Sequence, residues 1–343
     1  MITSNQDSNA VTGFSITNIA TCDFSLLQSL DNSAVLEKAG KGAEGSRLAR
    51  FIQKTMGIEH RYHCPKGMDA EDLAYSALAR LIDKDPSLPK RADFLIFAGI
   101  SSPRPTATLS TYLAHKFGFS KVSCWDVKSG CSTALLAMIQ AQGWLNMGAT
   151  CGVIVSAENL SRFSAREMMQ VAAATGDGAV AMAMEADERW QLKAVVHGSD
   201  ANFAHNIKLP GKFPIDFDSY NAADYLYKLD EKVDGIETLQ KYWLSSLAEL
   251  LTKANLPPSE VNHYISHQVD GSKNEKIAVA SGIRPEAVAK NFSHYGNMGS
   301  PTVLINYHQW INRAEHEFNS GDTLVFHAVG GGISWAGLCL QKR

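Results

Sequence analysis

The 343-residue sequence lacks the features that mark membrane, exported and nucleic-acid-binding proteins. It has no apolar run of the roughly eighteen residues that a transmembrane helix needs. Its first nine residues carry neither the positive charge nor the apolar stretch of a secretory signal. The formal net charge is −3, and no basic run with interleaved aromatic residues argues for a nucleic-acid partner. We therefore expect a cytoplasmic protein that binds neither membrane nor nucleic acid.

The sequence also lacks paired cysteine motifs. Its six cysteines are scattered without a CxxC spacing, which predicts reduced thiols rather than disulfides. The stretch His60-Arg-Tyr-His-Cys64 has metal-ligand residue types, but no second ligand pair accompanies it at zinc-finger spacing. We expect no metal site and no resident cofactor. Apolar residues make up 45% of the chain and charged residues 20%, which is typical of a globular enzyme of one large or two fused domains.

One stretch around Cys131 predicts a nucleophile. A β-leaning run over residues 121–127 meets a Ser-Gly turn, and an apolar helical periodicity begins at Cys131. Such a strand–turn–helix elbow presents nucleophiles in several folds, and a helix N-terminus favours a thiolate. The alternative for this stretch alone is a buried structural cysteine.

The order of predicted elements repeats within the chain. Both halves show a strand, a helix, a strand, a glycine-containing elbow, a helix, a buried strand, a glycine turn and a closing strand. This duplication predicts an α/β fold with mostly parallel sheets, divided into residues 1–188 and 189–343. Residues 198–235 have no counterpart in the first half, and we interpret them as a lid or tunnel-wall insertion.

Two polar residues of the second half fall where the duplicated topology points back at Cys131. His267 ends a predicted strand, and Asn297 occupies the elbow equivalent to that of Cys131. Taken singly, His267 also fits a core histidine and Asn297 a turn residue. A Cys–His–Asn set suits thioester chemistry, because a thiolate accepts an acyl group while two N–H donors stabilise an enolate oxygen.

These residues sit in motifs that resemble a known family. The chain resembles the thiolase-fold condensing enzymes, specifically β-ketoacyl-acyl-carrier-protein synthase III. The shared motifs, spread over residues 11–342, are Ser-Gly-Cys131-Ser-Thr-Ala, Thr175-Gly-Asp-Gly-Ala-Val, His267-Gln, Tyr295-Gly-Asn297-Met-Gly and Gly330-Gly-Gly-Ile-Ser-Trp335. The resemblance implies a thiolase-like fold of two α/β halves in an α-β-α-β-α sandwich.

The resemblance also implies residue roles and partners. Cys131 is the acyl-accepting nucleophile, and its backbone N–H forms an oxyanion hole with that of Gly331. His267 and Asn297 form a second hole for the enolate left when a malonyl thioester loses CO₂. The substrates are acyl thioesters on the phosphopantetheine of coenzyme A or acyl carrier protein, and the enzyme is a homodimer.

Several positions depart from the family pattern and bear on substrate binding. Phe51 and Thr55 stand where relatives clamp the coenzyme A adenine between a Trp and an Arg, so the cation of that clamp is missing. Arg104 replaces a Phe that reaches the partner's tunnel in the family, which suggests a polar or β-oxygenated acyl chain.

One further departure and two candidate carrier contacts follow the His267 motif. Asp270 replaces a neutral amide, with an expected effect on tunnel polarity or carrier contact. Lys273 and Lys276 are candidate contacts for an acidic carrier protein, or simply a solvated helix face.

The sequence thus predicts an acyltransferase that performs a decarboxylative Claisen condensation with a malonyl- or β-ketoacyl-type thioester. One alternative is a secondary-metabolite enzyme, in polyketide or fatty-acid-derived pathways, that joins or transfers acyl groups. The other is a non-catalytic partner subunit that shapes another enzyme's tunnel.

Overall fold

The computed structural model describes residues 13–42, 45–164, 169–229, 235–313 and 317–343. The predicted polar lead of residues 1–9, residues 230–234 of the predicted lid and the end of the helix predicted near residue 315 lie outside these ranges. Among the described residues, no helix combines the length and the apolarity needed to cross a bilayer.

The described elements of the first half include seven strands and seven helices. The strands are β1 (Phe14–Thr21), β2 (Gln28–Asp31), β3 (His60–His63), β4 (Phe94–Ala98), β5 (Ser123–Val127), β6 (Cys151–Glu158) and β7 (Gly178–Ala186). The helices are α1 (Asn32–Lys38), α2 (Gly45–Met56), α3 (Ala70–Lys84), α4 (Leu88–Arg91), α5 (Leu109–Lys116), α6 (Thr133–Asn146) and α7 (Met169–Ala174).

The described elements of the second half include six strands and four helices. The strands are β8 (Trp190–Ser199), β9 (Ile207–Lys208), β10 (Lys228–Leu229), β11 (His263–Ser266), β12 (Thr323–Gly330) and β13 (Ser334–Lys342). The helices are α8 (Gly235–Ala254), α9 (Gly271–Ala280), α10 (Phe292–Tyr295) and α11 (Thr302–Ile311).

Two main sheets run through the molecule, one from each half. The first has the strand order β1-β7-β6-β4-β5, and the second has the order β11-β12-β13-β8. Helices α6 and α11 lie between the sheets, and their apolar residues share one buried cluster with both. Helices α3 and α5 cover the outer face of the first sheet, and α8 packs on the outer face of the second. The resulting α-β-α-β-α sandwich confirms the predicted fold class.

The prediction of mostly parallel sheets was wrong. Strand β4 pairs in parallel with β5 and β6, and β11 with β12, but the remaining pairs of the two main sheets are antiparallel. The turn between β12 and β13 shows the reason. Only three residues separate these strands, and so short a connection permits antiparallel pairing alone.

The duplication is also less complete than the sequence pattern indicates. The counterpart of β5 in the second half is reduced to an isolated bridge between Val288 and Tyr264. The carbonyl of Ala289 instead accepts side-chain hydrogen bonds from Gln268 and Asn306. Side chains therefore hold this segment where a strand was expected, and the second sheet has four strands against five in the first.

Helix α3 begins at a capping box. The Asp69 side chain accepts from the backbone N–H of Glu71 at 2.8 Å, and the Asp72 side chain accepts from the N–H of Asp69 at 2.9 Å. The box satisfies N–H groups that the first turn leaves without helical partners.

We expect Asp69→Ala to lower the free energy of unfolding by about 1 kcal/mol, because the helix loses its cap. In urea denaturation, Asp69→Ala should reach its unfolding midpoint at a lower urea concentration than the unsubstituted protein. Asp69→Ser keeps a capping oxygen and is the matched control, which should stay close to the unsubstituted protein. An unchanged midpoint in Asp69→Ala would show that the box contributes nothing.

Candidate active site

The nucleophile elbow is built from a glycine and two short hydrogen bonds. Gly130 has a φ of +55°, and a Cβ at this position would lie 2.7 Å from the carbonyl oxygen of Gly331. The Thr133 hydroxyl donates to the carbonyl of Gly130 at 2.6 Å and accepts from the N–H of Ser129 at 2.7 Å. Only glycine tolerates this conformation and this close approach, so the elbow places Cys131 against the second half of the molecule.

The end of β12 closes on the elbow from the second half. A Cβ on Gly330 would lie 2.4 Å from the backbone nitrogen of Cys131. The Ser334 hydroxyl lies 2.9 Å from the hydroxyl of Ser132 and donates to the carbonyl of Ser129 at 2.9 Å. These contacts fix the Gly330–Gly332 loop beside the sulfur.

Asn297 is held so that its amide N–H groups remain available. Its backbone N–H donates to the carbonyl of Ala174 at 2.7 Å, and its carbonyl accepts from Gly176 at 2.9 Å. Its side-chain oxygen accepts from the N–H of Gly299 at 2.8 Å. Since the oxygen is occupied, the partly exposed end of the side chain presents its NH₂ group as a hydrogen-bond donor.

The Asn297 loop lies against the same strand ends as the elbow. The Ser300 and Ser156 hydroxyls are 2.9 Å apart at the end of β6. A Cβ on Gly299 would lie 3.4 Å from Cγ of Glu158, whose charge in turn acts on the Cys131 thiol. The Asn297 loop and the Cys131 elbow therefore meet around the carboxyl end of β6.

His267 follows β11, and its backbone is tied on both sides. Its N–H donates to the carbonyl of His327 at 2.9 Å, and its carbonyl accepts from Nδ2 of Asn274 at 2.8 Å. The Asn274 oxygen also accepts from the N–H groups of Val269 and Asp270. The imidazole is completely buried, and neither ring nitrogen has a hydrogen-bond partner among the described residues.

Helix α11 connects the His267 turn with the Asn297 loop. It starts five residues after Asn297, and its Asn306 side chain donates to the carbonyl of Ala289 at 3.0 Å. The same carbonyl accepts from the side chain of Gln268, next to His267, at 2.8 Å. The two second-half groups are thus held by one hydrogen-bonded unit.

Electrostatics keep both the thiol and the imidazole neutral at rest. Burial, reinforced by the charge of Glu158, raises the pKa of Cys131 to about 12, against a smaller opposing effect of the Gly331 N–H. Burial lowers the pKa of His267 to about 3 and raises the pKa of Glu158 to about 7.

The expected preference for a thiolate was therefore wrong for the resting protein. Helix α6 begins at Thr133 with Ser132 as its N-cap, so Cys131 precedes the helix rather than opening it. The loss of hydration then outweighs the dipole at the helix N-terminus.

Comparisons with known proteins match segments of both halves of the chain to one family. The model of the 3-oxoacyl-[acyl-carrier-protein] synthase III family matches residues 125–201, which include Cys131. The model of its C-terminal part matches residues 251–342, which include His267 and Asn297. The β-ketoacyl-[acyl-carrier-protein] synthase III of Staphylococcus aureus is 24% identical over 296 residues, covering 85% of this chain and 89% of its own.

Solved structures show the same fold. The 3-oxoacyl-[acyl-carrier-protein] synthase III of Aquifex aeolicus superposes with a TM-score of 0.82 at 20% identity, covering 96% of this chain and all of its own. The priming β-ketosynthase of the R1128 polyketide pathway reaches the same TM-score at 16% identity, covering 96% of each chain.

In sequence and in fold, the chain is similar to the 3-oxoacyl-[acyl-carrier-protein] synthase III family.

Two of the predicted substrate-binding residues lie on helix α2. Phe51 is 61% exposed, and Thr55 is exposed with its hydroxyl donating to the carbonyl of Phe51 at 2.8 Å. The carbonyl of Thr55 accepts from the hydroxyl of Ser272, which brings α2 against the start of α9. Their predicted role at a coenzyme A clamp stays a prediction.

Arg104 is engaged within its own chain. Its guanidinium pairs with Glu71 at 2.6 Å and lies 3.8 Å from the centre of the Tyr112 ring. The predicted contact with an acyl tunnel therefore requires that this pairing be broken or shared. The contact of Arg104 with an acyl tunnel stays a prediction.

Asp270 caps helix α9. Its side chain accepts from the backbone N–H groups of Ser272 and Lys273, and the residue is 8% exposed. This capping role accounts for the carboxylate, whereas its predicted effect on the tunnel stays untested. Lys273 and Lys276 are exposed on α9, and Lys273 lies 3.8 Å from Asp270.

Two residues near the nucleophile escaped the sequence reasoning. Glu158, at the end of β6, is fully buried and accepts from the N–H groups of Ile100 and Ser101. Tyr227, in the predicted lid insertion, is close enough to Glu158 and Cys131 for the charge of Glu158, and that of Cys131 once ionised, to raise its pKa beyond the effect of burial. An acidic residue that ends a buried, mostly apolar strand was a usable signal for Glu158, but Tyr227 had none.

The lid insertion closes over the site at two points. The Asn206 side chain accepts from the N–H of Gly332 at 2.7 Å, and the Ile207 side chain packs directly on Gly331. On the other side, the N–H of Tyr227 donates to the carbonyl of Phe163 at 2.7 Å. These contacts lie beside the glycine loop, and the role of the insertion as a lid or tunnel wall stays a prediction.

We expect alkylation of Cys131 by iodoacetamide to accelerate about tenfold per pH unit up to about pH 10, because only the thiolate reacts. Peptide mapping by mass spectrometry separates Cys131 from the other cysteines, and Cys131→Ser provides the blank. The raised pKa leaves the thiol protonated throughout this range. A plateau near pH 8 would contradict it.

Gly330→Ala should lower the free energy of unfolding by about 1–3 kcal/mol, because its Cβ meets the backbone of Cys131. Gly143→Ala, inside α6 with open space around it, is the control and should raise stability by about 0.5–1 kcal/mol. Urea denaturation of both variants measures the difference. Equal midpoints would mean that the two halves are not in contact at Gly330.

Proposed function

We propose that this protein transfers an acyl group to Cys131 and then catalyses a Claisen condensation with a malonyl- or β-ketoacyl-type thioester, which is decarboxylative when the extender is malonyl. One observation carries the proposal. The partly exposed Cys131 lies against the end of β12 at Gly330. His267 follows β11, the neighbour of β12, and Asn297 presents its side-chain NH₂ group from the loop beside the end of β6. A purely structural core has no reason to leave both nitrogens of a buried imidazole without partners.

In the first step, the sulfur of Cys131 attacks the carbonyl carbon of an acyl thioester. The S–C bond to Cys131 forms, the bond to the carrier sulfur breaks, and the carrier leaves as a thiol. The proton of Cys131 must depart during the attack, because the thiol is neutral at rest. This proton passes to the leaving carrier sulfur, so that the carrier departs as a thiol.

In the second step, the extender loses CO₂ when the bond between its carboxylate carbon and its α-carbon breaks. The electron pair passes to the thioester oxygen as an enolate, which the N–H groups of His267 and Asn297 stabilise. Each preorganised donor lowers the barrier by about 3 kcal/mol. The α-carbon then attacks the acyl group on Cys131, the bond to the cysteine sulfur breaks, and the released thiolate takes up a proton from solvent.

The substrates are thioesters carried by a phosphopantetheine arm, on coenzyme A or acyl carrier protein. The relatives are named for the acyl carrier protein, and the exposed Lys273 and Lys276 on α9 offer positive charge to such an acidic partner. At the primer clamp, Thr55 supplies no cation, so we expect weaker coenzyme A binding than in relatives with an arginine there. The homodimer and the cytoplasmic location remain part of the proposal.

A second candidate function is priming in a secondary-metabolite pathway. The fold is as similar to that of the R1128 priming β-ketosynthase as to that of the Aquifex enzyme, with a TM-score of 0.82 for each. This similarity supports the second candidate beside the first. Both candidates share the chemistry at Cys131 and differ in the acyl group accepted. A non-catalytic partner subunit is disfavoured, since it needs neither the thiol nor the two donors.

The test separates the two half-reactions. We expect an acyl adduct by intact mass when the protein meets a matching acyl-coenzyme A or acyl-carrier thioester, and none in Cys131→Ala. His267→Ala and Asn297→Ala should each keep the adduct but lose malonyl decarboxylation by about 100- to 1,000-fold, because each removes one donor to the enolate.

Cys124→Ala is the matched control, because it removes a partly buried thiol away from the site and should keep both activities. The proposal fails if no thioester labels the protein and Cys131→Ala supports the activity of a protein complex as well as the unsubstituted protein does. It also fails if the adduct maps to another cysteine.

A further inference from the structure

His267 lacks the hydrogen bond that normally fixes an imidazole. In most catalytic sites one ring nitrogen is bonded to a protein group, which sets the orientation of the other. Here both ring nitrogens are buried and have no such partner among the described residues. Something other than a hydrogen bond must therefore hold the plane of this ring.

Trp243 supplies the flat surface against which the ring lies. The indole, on helix α8, is 3% exposed, and its plane is only 13° from that of His267, with the centres 6.2 Å apart. Offset parallel packing of this kind is a favoured arrangement of aromatic rings. The contact restrains rotation of the imidazole while leaving both nitrogens free for substrate.

Trp243 is itself fixed by a chain of buried hydrogen bonds. Its indole N–H donates to the Tyr264 hydroxyl at 3.1 Å, which lies 3.2 Å from Nδ1 of His327. On the other side of that ring, Nε2 of His327 lies 2.8 Å from the Ser246 hydroxyl. The hydroxyl of Ser246 donates to the carbonyl of Tyr242 at 2.6 Å.

The chain has one consistent direction. Because the Tyr264 oxygen accepts from the indole, its own proton goes to Nδ1 of His327. Burial lowers the pKa of His327 to about 3, so the ring is neutral and carries its single proton on Nε2, where it donates to Ser246. Each proton along the chain then has one acceptor, and the rotamer of Trp243 is defined.

We propose that Trp243 is a positioning residue that holds the imidazole of His267 in the plane required by the enolate. The proposal rests on the proposed function, in which a His267 N–H meets the thioester oxygen. A donor in an oxyanion hole must be preorganised to be effective, and small misplacements cost about a hundredfold in rate. The chain from Tyr264 to Ser246 serves this placement through the indole.

The experiment compares variants in the two half-reactions. Trp243→Leu removes the ring face, and Trp243→Phe keeps a ring but not its N–H. Trp310→Leu is the matched control, because this tryptophan is equally buried in the same half but contacts His263 at the far end of β11. The readouts are acylation of Cys131 by intact mass and decarboxylation of a malonyl thioester.

We expect Trp243→Leu to acylate Cys131 within about threefold of the unsubstituted protein but to decarboxylate about a hundredfold more slowly. Trp243→Phe should recover most of the loss, and Trp310→Leu should keep both activities. A decarboxylation rate unchanged in Trp243→Leu overturns the proposal. So does an equal loss in both half-reactions, which marks a general structural role.

A second readout separates this proposal from the proposed function. In ¹⁵N-histidine NMR spectra, the ring signals of His267 should shift or broaden in Trp243→Leu and stay in place in Trp310→Leu. If the unsubstituted protein itself decarboxylates no malonyl thioester, the proposed function fails, and unchanged His267 signals would then overturn the positioning role as well. Should Trp243→Leu not fold, Tyr264→Phe, which removes the acceptor of the indole N–H, must show the same selective loss to a smaller degree.

Discussion

The whole site depends on the close approach of two backbones, at Gly330 in the second half and at Cys131 in the first. The backbones come so near that a single Cβ on Gly330 would lie 2.4 Å from the cysteine nitrogen. Serine hydroxyls on both sides of this contact, at Ser132 and Ser334, bond across it. Because the contact sits where the strands of both sheets end, it places the nucleophile of one half beside the donors of the other. Neither half contains the complete site.

Burial sets the chemistry of this junction. A thiol and an imidazole that are both neutral at rest place no charge at this junction, and charge develops only when a substrate is attacked. Glu158 fits the same pattern, since burial raises its pKa to about 7 although two backbone N–H groups donate to it. The junction therefore favours reactions in which negative charge appears on a substrate oxygen beside fixed donors. Thioester transfer and enolate formation are reactions of this kind.

Much of this arrangement could be predicted from the sequence, and the failures have physical causes. Apolar runs such as β4 and β6 and the Asp69 cap are local signals, and the Gly130 turn marks the nucleophile because glycine adopts a positive φ without the cost that a Cβ adds. The thiolate expectation failed because the helix dipole is a local feature, whereas the desolvation of Cys131 comes from the whole fold. The role of Trp243 could not be predicted from the sequence for a similar reason. Its spacing is that of an ordinary core residue, and its contact with His267 joins elements 24 positions apart.

The central claim is that Cys131, His267 and Asn297 face one substrate from opposite halves of the molecule. A crystal structure of the protein with a non-hydrolysable malonyl thioester analogue tests this claim most directly. Our account predicts the thioester oxygen within about 3 Å of a His267 ring nitrogen and of the Asn297 amide nitrogen, with the Cys131 sulfur next to the reacting carbon. An analogue bound elsewhere, or three side chains that open into separate cavities, would contradict it.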